Sequence, residues 1–299
     1  FSRQEFPFAG QLLPRHRRVI EAFRHRHFAW LLEAGGHLSK PPPVTTAKRP
    51  MNLAEKIIAR HAIADAKTGR LGIEAVKPGD ALFVMTDVRF THDYVTAMAG
   101  ALFKKYLGAT ARIKDSASTW AFRDHLTFLG KVMPEERKKK GFLTLAENLA
   151  TVQESFCREQ GIRLYGEIPG EGSEAICHNA VLEDIGMPGQ IIIGTDSHTC
   201  TGGALGAFAY GVGSTDMANS WFTKDTRLTV PTSVRYNLRG KLRKGVAAKD
   251  LMLHVMAEDY IKSGKAIGKV LEFGGEGIKS LSLDERATVT NMAVEAGAT

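Results

Sequence analysis

From Met51 onward, short apolar runs alternate with amphipathic stretches along the chain. This pattern predicts a mostly parallel β-sheet covered by helices, an α/β fold. The predicted elements are buried strands at 81–85 and 190–193, a helix over 95–106 that ends at Gly108, a helix after Pro134 with an apolar stripe of Leu145, Leu149, Val152 and Phe156, and a Gly/Ala-rich helix from Leu205 to about Trp221.

A second unit is expected to begin near Pro231, which divides residues 51–230 from residues 231–299. Its predicted elements are a polar strand over 233–239, a helix over about 246–262, a strand over 269–273 and a helix from near Asp284. The helical pattern runs to Thr299 without a cap or a turn. We therefore expect the second unit to be incomplete.

Composition is that of an ordinary globular protein, with 43% hydrophobic and 24% charged residues in 299. Its three cysteines, Cys157, Cys177 and Cys200, are too few and too scattered for a disulfide scaffold, which favours a reducing, intracellular setting and a cytoplasmic location. No apolar run approaches the ~18 residues of a membrane span, so no membrane partner is expected.

The net charge of +8 is concentrated in the first fifty residues, which hold nine Lys and Arg against three Glu. The remaining 249 residues hold 31 basic and 29 acidic side chains, so the body of the chain gives no reason to expect a nucleic-acid partner. Residues 1–50 fit a transit peptide or a nucleic-acid arm, but translated upstream sequence before a natural start at Met51 is favoured. We expect this basic extension to lie outside the fold.

The strongest chemical signal is the string Gly194-Thr195-Asp196-Ser197-His198-Thr199, which follows a predicted buried strand and precedes a predicted helix. Ligands of open α/β sheets bind at the carboxyl ends of strands, where helix starts offer backbone N–H groups to anions. Three functional side chains in a row could contact one polar substrate from one side. The structural alternative is that Asp196 and Ser197 only cap the helix.

Three further polar clusters stand near predicted strand ends: His92-Asp93, Asp124-His125 and the segment from Gly172 to His178. In Asp124-His125 a carboxylate could fix the tautomer of the imidazole and raise its basicity. A lone histidine is more often structural than catalytic, and His254 on a predicted helix is assigned to that class.

The order of these motifs resembles the aconitase superfamily, in its isopropylmalate dehydratase and homoaconitase branch, over residues 51–299. The motifs that carry the resemblance are the 194–199 string followed by Cys200-Thr201, Asp124-His125, the Gly-Ser-Glu segment leading to His178, residues 206–213 and residues 290–298. It implies a three-layer α/β/α first domain over 51–230 and an incomplete second α/β domain over 231–299. The His92-Asp93 segment departs from well-known isopropylmalate enzymes and suggests a side branch with another malate-type substrate.

The resemblance implies a hydro-lyase that moves the hydroxyl of a small hydroxy acid by dehydration and rehydration, with a 4Fe–4S cluster and a small subunit that carries a swivelling domain. By position, His125 resembles the proton donor to the departing hydroxyl, with Asp124 as its partner, and Asp196 and His178 resemble the pair that handles the bound water. His198 resembles a member of the same catalytic shell. Ser197 and His92 resemble substrate contacts, and Asn291 and Glu295 resemble neighbours of the cluster.

The cluster cysteines of the family, one in a Gly-Ser-Cys segment and two in a Cys-x-x-Cys, do not occur in this sequence. One thiolate such as Cys200 cannot hold a cluster that needs three, so we expect no metal ligand in this chain and no activity from it alone. Two alternatives stay open: a lyase that uses a divalent ion without a cluster, and a non-catalytic module that a second chain complements.

Overall fold

A computed structural model describes residues 47–66 and 68–299. The expectations for the basic extension therefore fall, up to residue 46, outside the described residues. Within the described part, no helix combines the length and the apolar character that crossing a membrane requires.

The described residues form short helices and strands in alternation. The α-helices are α1 (Leu53–His61), α2 (Asp93–Leu107), α3 (Leu129–Val132), α4 (Glu135–Lys139), α5 (Phe142–Gln160), α6 (Cys177–Ala180), α7 (Ser214–Thr223), α8 (Ala248–Ala257), α9 (Asp259–Lys262) and α10 (Leu283–Asn291). The strands are β1 (Ile63–Asp65), β2 (Arg70–Leu71), β3 (Ala81–Met85), β4 (Val88–His92), β5 (Thr119–Phe122), β6 (Arg163–Tyr165), β7 (Glu167–Ile168), β8 (Gly172–Ser173), β9 (Ile191–Gly194), β10 (Phe208–Gly211), β11 (Asp225–Thr229), β12 (Ser233–Asn237) and β13 (Val270–Gly274). Among the described residues, 3-10 helices span Ser116–Ser118, Ser197–Leu205, Glu276–Ser280 and Val294–Ala296, and a π-helix spans Val181–Ile185.

A five-stranded parallel sheet with the order β10-β9-β4-β5-β6 lies at the centre. Phe103, Phe156 and Trp221, from α2, α5 and α7, belong to the hydrophobic cluster on one side of this sheet. Phe90, Phe122 and residues of the segment around α6 form another cluster. The α/β prediction, with a parallel sheet flanked by helices, is confirmed.

The strand predicted at 81–85 exists as β3, but it lies outside the parallel sheet and pairs antiparallel with β11. The strand that enters the sheet is β4, in which all five residues are buried. β4 begins only three residues after β3 ends, and the more strongly apolar run of β3 was the one that predicted a strand. The strand that carries His92 was therefore not predicted.

The predicted helix over 205–221 is wrong. Residues 208–211 form β10, which pairs with β9 at the edge of the sheet, and only 214–223 are α-helical. Gly206, with φ of 79°, ends the preceding 3-10 helix and turns the chain into β10. Hydrogen bonding to a sheet edge overrides the helical appearance of a Gly/Ala-rich segment.

The apolar stripe expected to face inward on α5 does so only in part. Leu145 and Val152 are 59% and 49% exposed, whereas Gln153 is fully buried. The buried face of α5 consists of Ala150, Gln153, Phe156, Cys157 and Gln160. A polar residue occupies this face because Gln153 donates to the Thr96 hydroxyl and to the carbonyl of Phe122.

Residues 233–299 build a two-stranded parallel sheet of β12 and β13, packed with α8 and α10 around a hydrophobic cluster of their own. The predicted helix over 246–262 is interrupted at Glu258, whose ψ of 142° separates α8 from α9. The last helix begins at Leu283 behind a capping box of Ser282 and Glu285 and ends at Asn291. The helical pattern expected up to Thr299 is therefore wrong, since Thr299 hydrogen-bonds along β13 through Lys269 and Leu271.

Candidate active site

Three neighbouring strands of the parallel sheet bring four of the predicted site residues together at their carboxyl ends. β4 ends at His92, β5 is followed by Asp124-His125, and β9 is followed by Asp196. Because β4 lies between β5 and β9 and all three run parallel, their carboxyl ends meet. His92 and Asp196, which are about a hundred residues apart in the sequence, therefore lie close together in the fold.

His125 lies between two carboxylates, one at each ring nitrogen. Its Nδ1 donates to Asp124 Oδ1 at 2.9 Å, and its Nε2 donates to Asp196 Oδ2 at 2.9 Å. An imidazole that donates from both nitrogens is the protonated, cationic form. The geometry therefore makes His125 an imidazolium with one proton on each ring nitrogen, each shared with a carboxylate.

The two carboxylates stabilise this cation strongly. Hydrogen bonds to Asp124 and then to Asp196 outweigh partial burial and raise the pKa of His125 to about 10. Burial would raise the pKa of Asp124, but hydrogen bonds from His125 and from the backbone N–H of Cys177 lower it below its ordinary value. The result is a charged network at neutral pH.

Asp196 is the hub of the site. Besides His125, it accepts from His178 Nε2 at 3.1 Å and from the backbone N–H of His198 at 2.7 Å. Burial alone would raise the pKa of Asp196, but the hydrogen bonds from His125, His178 and this N–H hold it far below its usual range. Capping of the 3-10 helix accounts for one of these bonds, and the other two bind imidazoles.

His92 lies behind His125 with its ring stacked on that imidazole, at 4.1 Å between centroids and 22° between planes. It is only 6% exposed, and its Nε2 lies 3.2 Å from the carbonyl oxygen of Thr195. The exposed ring of Tyr94 contacts both histidines edge-on. This placement favours support of the His125 ring over direct contact between His92 and a substrate.

Asp93, which the sequence placed in the His92-Asp93 cluster without a role of its own, also joins the site. Its fully buried carboxylate accepts the backbone N–H of Leu126 at 2.8 Å and lies 3.9 Å from Nδ1 of His125. The only sequence signal was its adjacency to His92. Its partner is 33 residues away, on the loop after β5, and no local pattern reports that contact.

The remaining predicted residues divide into two groups. His198 Nε2 lies 3.0 Å from Glu295 Oε1, and Ser197, which is exposed, lies with its Oγ 3.3 Å from His198 Nδ1. The side-chain amide of Asn291 donates to the hydroxyl of Thr201 at 2.9 Å. His178, Asn291 and Glu295 all line a cleft of about 620 Å³ beside α10.

The three cysteines of the chain do not fit a cluster. Cys157, Cys177 and Cys200 belong to three different hydrophobic clusters, so their sulfurs cannot converge on one ion or one group. Burial raises the pKa of all three thiols, that of Cys200 to about 11, whereas the thiolate is the ligand form. Any iron–sulfur cluster at this site would need ligands other than these.

Two groups of side chains approach the spacing of a divalent-ion site: His92, His125 and Asp196, and then Asp93, Asp124 and His125. Both groups depend on His125. A metal ligand needs a free lone pair on nitrogen, and both nitrogens of His125 donate to carboxylates. A divalent ion at either group would therefore have to displace a proton and a hydrogen bond from His125.

Residues 55–299 match the aconitase family (aconitate hydratase). The chain is 38% identical over 250 residues to 3-isopropylmalate dehydratase large subunit 1 of Pyrococcus furiosus, covering 83% of this chain and 52% of that protein. It is 35% identical over 265 residues to the chloroplastic 3-isopropylmalate dehydratase large subunit of Arabidopsis thaliana, covering 86% of this chain and 48% of that protein.

Among solved structures, aconitase X of Thermococcus kodakaraensis in its holo-form aligns with a TM-score of 0.39 and 10% identity, over 71% of this chain and 50% of that one. The chain spans about half the length of the curated relatives it matches.

Proposed function

The chain belongs to the aconitase family, and from that premise we propose that it supplies the acid–base half of a hydro-lyase acting on a small hydroxy acid of the isopropylmalate type. One observation carries the proposal: His125 is held as a cation between Asp124 and Asp196, each at 2.9 Å. Removal of water from a hydroxy acid needs a proton for the departing hydroxyl, which a positioned imidazolium supplies, and a base that takes the proton from the neighbouring carbon, which we assign to the small subunit.

His125 is the proton donor in this proposal, and Asp124 keeps its ring oriented. A donor with a pKa of about 10 holds its proton tightly at neutral pH. A substrate hydroxyl that takes the place of Asp196 at Nε2 removes one of the two hydrogen bonds that raise this pKa. Substrate binding thereby makes the donor more acidic at the atom where the proton leaves.

Asp196 and His178 form a second acid–base pair in this proposal. It exchanges a proton with the water molecule that leaves in the dehydration and is added back in the rehydration. His178 lies at the wall of the cleft, and its Nε2 points at Asp196. His198, supported by Glu295, and the exposed hydroxyl of Ser197 extend the polar wall that a hydroxy acid would contact. We place substrate recognition on Ser197 ahead of His92, since the His92 ring is covered by His125.

The 4Fe–4S cluster of the family, which supplies Lewis-acid chemistry on the hydroxyl, has no ligand set among the cysteines of this chain. We propose that its cysteines come from polypeptide outside these 299 residues and that Asn291 and Glu295, which line the cleft, become its neighbours. A small subunit completes the enzyme. Leucine biosynthesis and a cytoplasmic location are the proposed setting, although the Arabidopsis relative is named as chloroplastic.

A chimera tests this function. Residues 51–299 replace the matching half of the Pyrococcus furiosus large subunit, and the product is mixed with that enzyme's small subunit and assayed by the ultraviolet absorbance of the unsaturated acid. We expect turnover of a malate that carries an alkyl group, and a loss of about 10²–10⁴-fold in the variant His125→Asn.

His254→Asn, remote from the site on α8, is the control and should leave the rate unchanged. A folded, cluster-loaded chimera without activity on any alkyl malate would contradict the enzyme proposal and favour the non-catalytic module.

A further inference from the structure

A third carboxylate stands at the proton donor, and nothing in the acid–base scheme above uses it. Asp93 is the first residue of α2, a helix of 15 residues, and it is completely buried. Buried carboxylates persist where hydrogen bonds compensate for lost hydration. Among the described residues, its neighbours within ion-pair distance are imidazoles, with no lysine or arginine among them.

The two oxygens of Asp93 have separate tasks. Oδ2 accepts the backbone N–H of Leu126 at 2.8 Å, which ties the loop carrying His125 to the start of α2. Oδ1 accepts the N–H of Tyr94 at 3.2 Å and faces His92 Nδ1 at 3.7 Å and His125 Nδ1 at 3.9 Å. A single carboxylate thus touches the backbone next to the donor and faces both rings of the stack.

The start of α2 suits this carboxylate, because the first N–H groups of a helix carry partial positive charge. His92 Nδ1 is buried and has no hydrogen-bond partner, so the orientation of that ring depends on stacking, on Thr195 and on the nearby charge of Asp93. Asp93 therefore adds one constraint to the loop after β5 and one to the His92 ring.

We propose that Asp93 is a positioning residue for the proton donor: by holding the backbone at Leu126, it keeps His125 stacked on His92 and in line with Asp124 and Asp196. This inference deepens the proposed function and rests on it for the role of His125. The geometric part stands on this chain alone and can be tested without the cluster, the small subunit or turnover.

Nuclear magnetic resonance of the full chain, labelled with ¹⁵N, tests the proposal directly. Both ring N–H protons of His125 donate to carboxylates and should give low-field signals protected from exchange with water. In Asp93→Ala we expect both signals to broaden beyond detection and the amide of Leu126 to exchange at least about tenfold faster, because its buried acceptor is lost.

Asp87→Ala is the matched control. Asp87 precedes β4 as Asp93 follows it, accepts a backbone N–H from Ile191 at 2.8 Å and faces His61 at 2.9 Å, away from the site. It should disturb its own surroundings and leave the His125 signals intact. If Asp93→Ala leaves the ring signals and the Leu126 exchange rate as in the wild type, Asp93 positions nothing and the proposal fails.

If Asp93→Ala does not give folded protein, Asp93→Asn is the variant that tests the proposal. The amide oxygen still accepts from Leu126 N, so we expect the ring signals and the protection of Leu126 to persist. Loss of both in folded Asp93→Asn would overturn the positioning role. In the chimera, Asp93→Ala should lower kcat more than it raises KM; failure of the chimera itself leaves the resonance result unaffected, so the two proposals fail separately.

Discussion

The chemistry of the site depends on which residues meet at the ends of three strands. The sequence identified several of these residues but not all the contacts between them. The string at 194–199 and the Asp124-His125 pair could be read from the sequence. The sequence did not show that Asp196 binds two different histidines, because that requires the loop after β9 to meet both the loop after β5, with His125, and α6, with His178. The His92-Asp93 cluster was noted, but a role for Asp93 could not be predicted, since its main partner lies on the loop after β5.

The raised pKa of His125 predicts a pH dependence of stability. The folded pKa of His125 is about 10, against 6.5 for an ordinary histidine, so the charged network adds stability that is fully present below pH 6.5. It is lost as pH rises through about 10. We expect the difference in free energy of unfolding between the wild type and His125→Gln, measured in urea, to shrink over this range.

The carboxylates act with the opposite sign. Asp124 and Asp196 have pKa values below 3.8, so their contribution is present above that pH and disappears as pH falls through their lower folded values. For His125 itself, a difference in free energy of unfolding between the wild type and His125→Gln that grows between pH 6.5 and 10 would contradict the charged network.

Arg89 offers a second prediction about a single residue. This fully buried guanidinium in β4 donates to the backbone carbonyls of Ser220, Lys114 and Asp115 at 2.7–2.8 Å. Burial lowers its pKa to about 10, still well above neutrality. Arg89→Met removes these buried, charge-assisted hydrogen bonds, while the Ser220 and Asp115 carbonyls keep the backbone N–H groups of Lys224 and Ser118 as donors. We expect it to reduce the free energy of unfolding by about 3 kcal/mol.

Urea unfolding measures this loss, with Arg235→Met on the exposed face of β12 as the control. The control should change the free energy of unfolding by less than about 0.5 kcal/mol. An Arg89→Met protein as stable as the control would show that the carbonyls find other donors.

At the scale of elements, buried strands and well-capped helices followed from local pattern, and segments decided by distant pairing did not. β9 and α2 lie where the apolar runs predicted them. β10 looked like part of a helix because its sheet partner, β9, is contributed by another stretch of chain. The buried face of α5 includes Gln153 and not the whole predicted apolar stripe. Gln153 can be buried because Thr96 and Phe122 accept its hydrogen bonds.

The junction of β9 with the site loop predicts the effect of one methyl group. A Cβ at Gly194 would lie 2.4 Å from the ring of Phe90 and from the hydroxyl of Thr199. Gly194→Ala therefore forces β4 and the start of the 3-10 helix apart. We expect a loss of about 2–3 kcal/mol in the free energy of unfolding and weaker protection of the ring protons of His125.

Gly130→Ala is the matched control, because a Cβ at Gly130 in α3 meets nothing within 4 Å. It should be neutral or slightly stabilising, since alanine favours a helix over glycine. Equal stability of the two variants would mean that Phe90 and Thr199 move aside without cost.

At the scale of the whole molecule, two parts of the chain, each with its own hydrophobic cluster, contribute residues to the site. His198 follows the central sheet, and its partner Glu295 lies beyond α10. Cys200 of the 3-10 helix packs into the cluster formed by residues 248–298, and Thr290 donates to the carbonyl of Thr201 at 3.1 Å. The division near Pro231 that the sequence suggests, which we retain as a proposal, therefore does not separate the site from the second unit.

This coupling predicts that a cavity in the second unit loosens the site. Val289 in α10 is 1% exposed, and Val289→Ala removes buried methyl groups worth about 2 kcal/mol, or roughly thirtyfold in an opening equilibrium. Because α10 and residues 197–205 share contacts, hydrogen exchange measured by mass spectrometry should accelerate in both segments together. Val84→Ala, at an equally buried position in β3, should accelerate exchange around β3 and β11 without this pairing. Acceleration confined to 283–291, with 197–205 unchanged, would show that the 3-10 helix keeps its place without α10 and that the histidines depend on the parallel sheet alone.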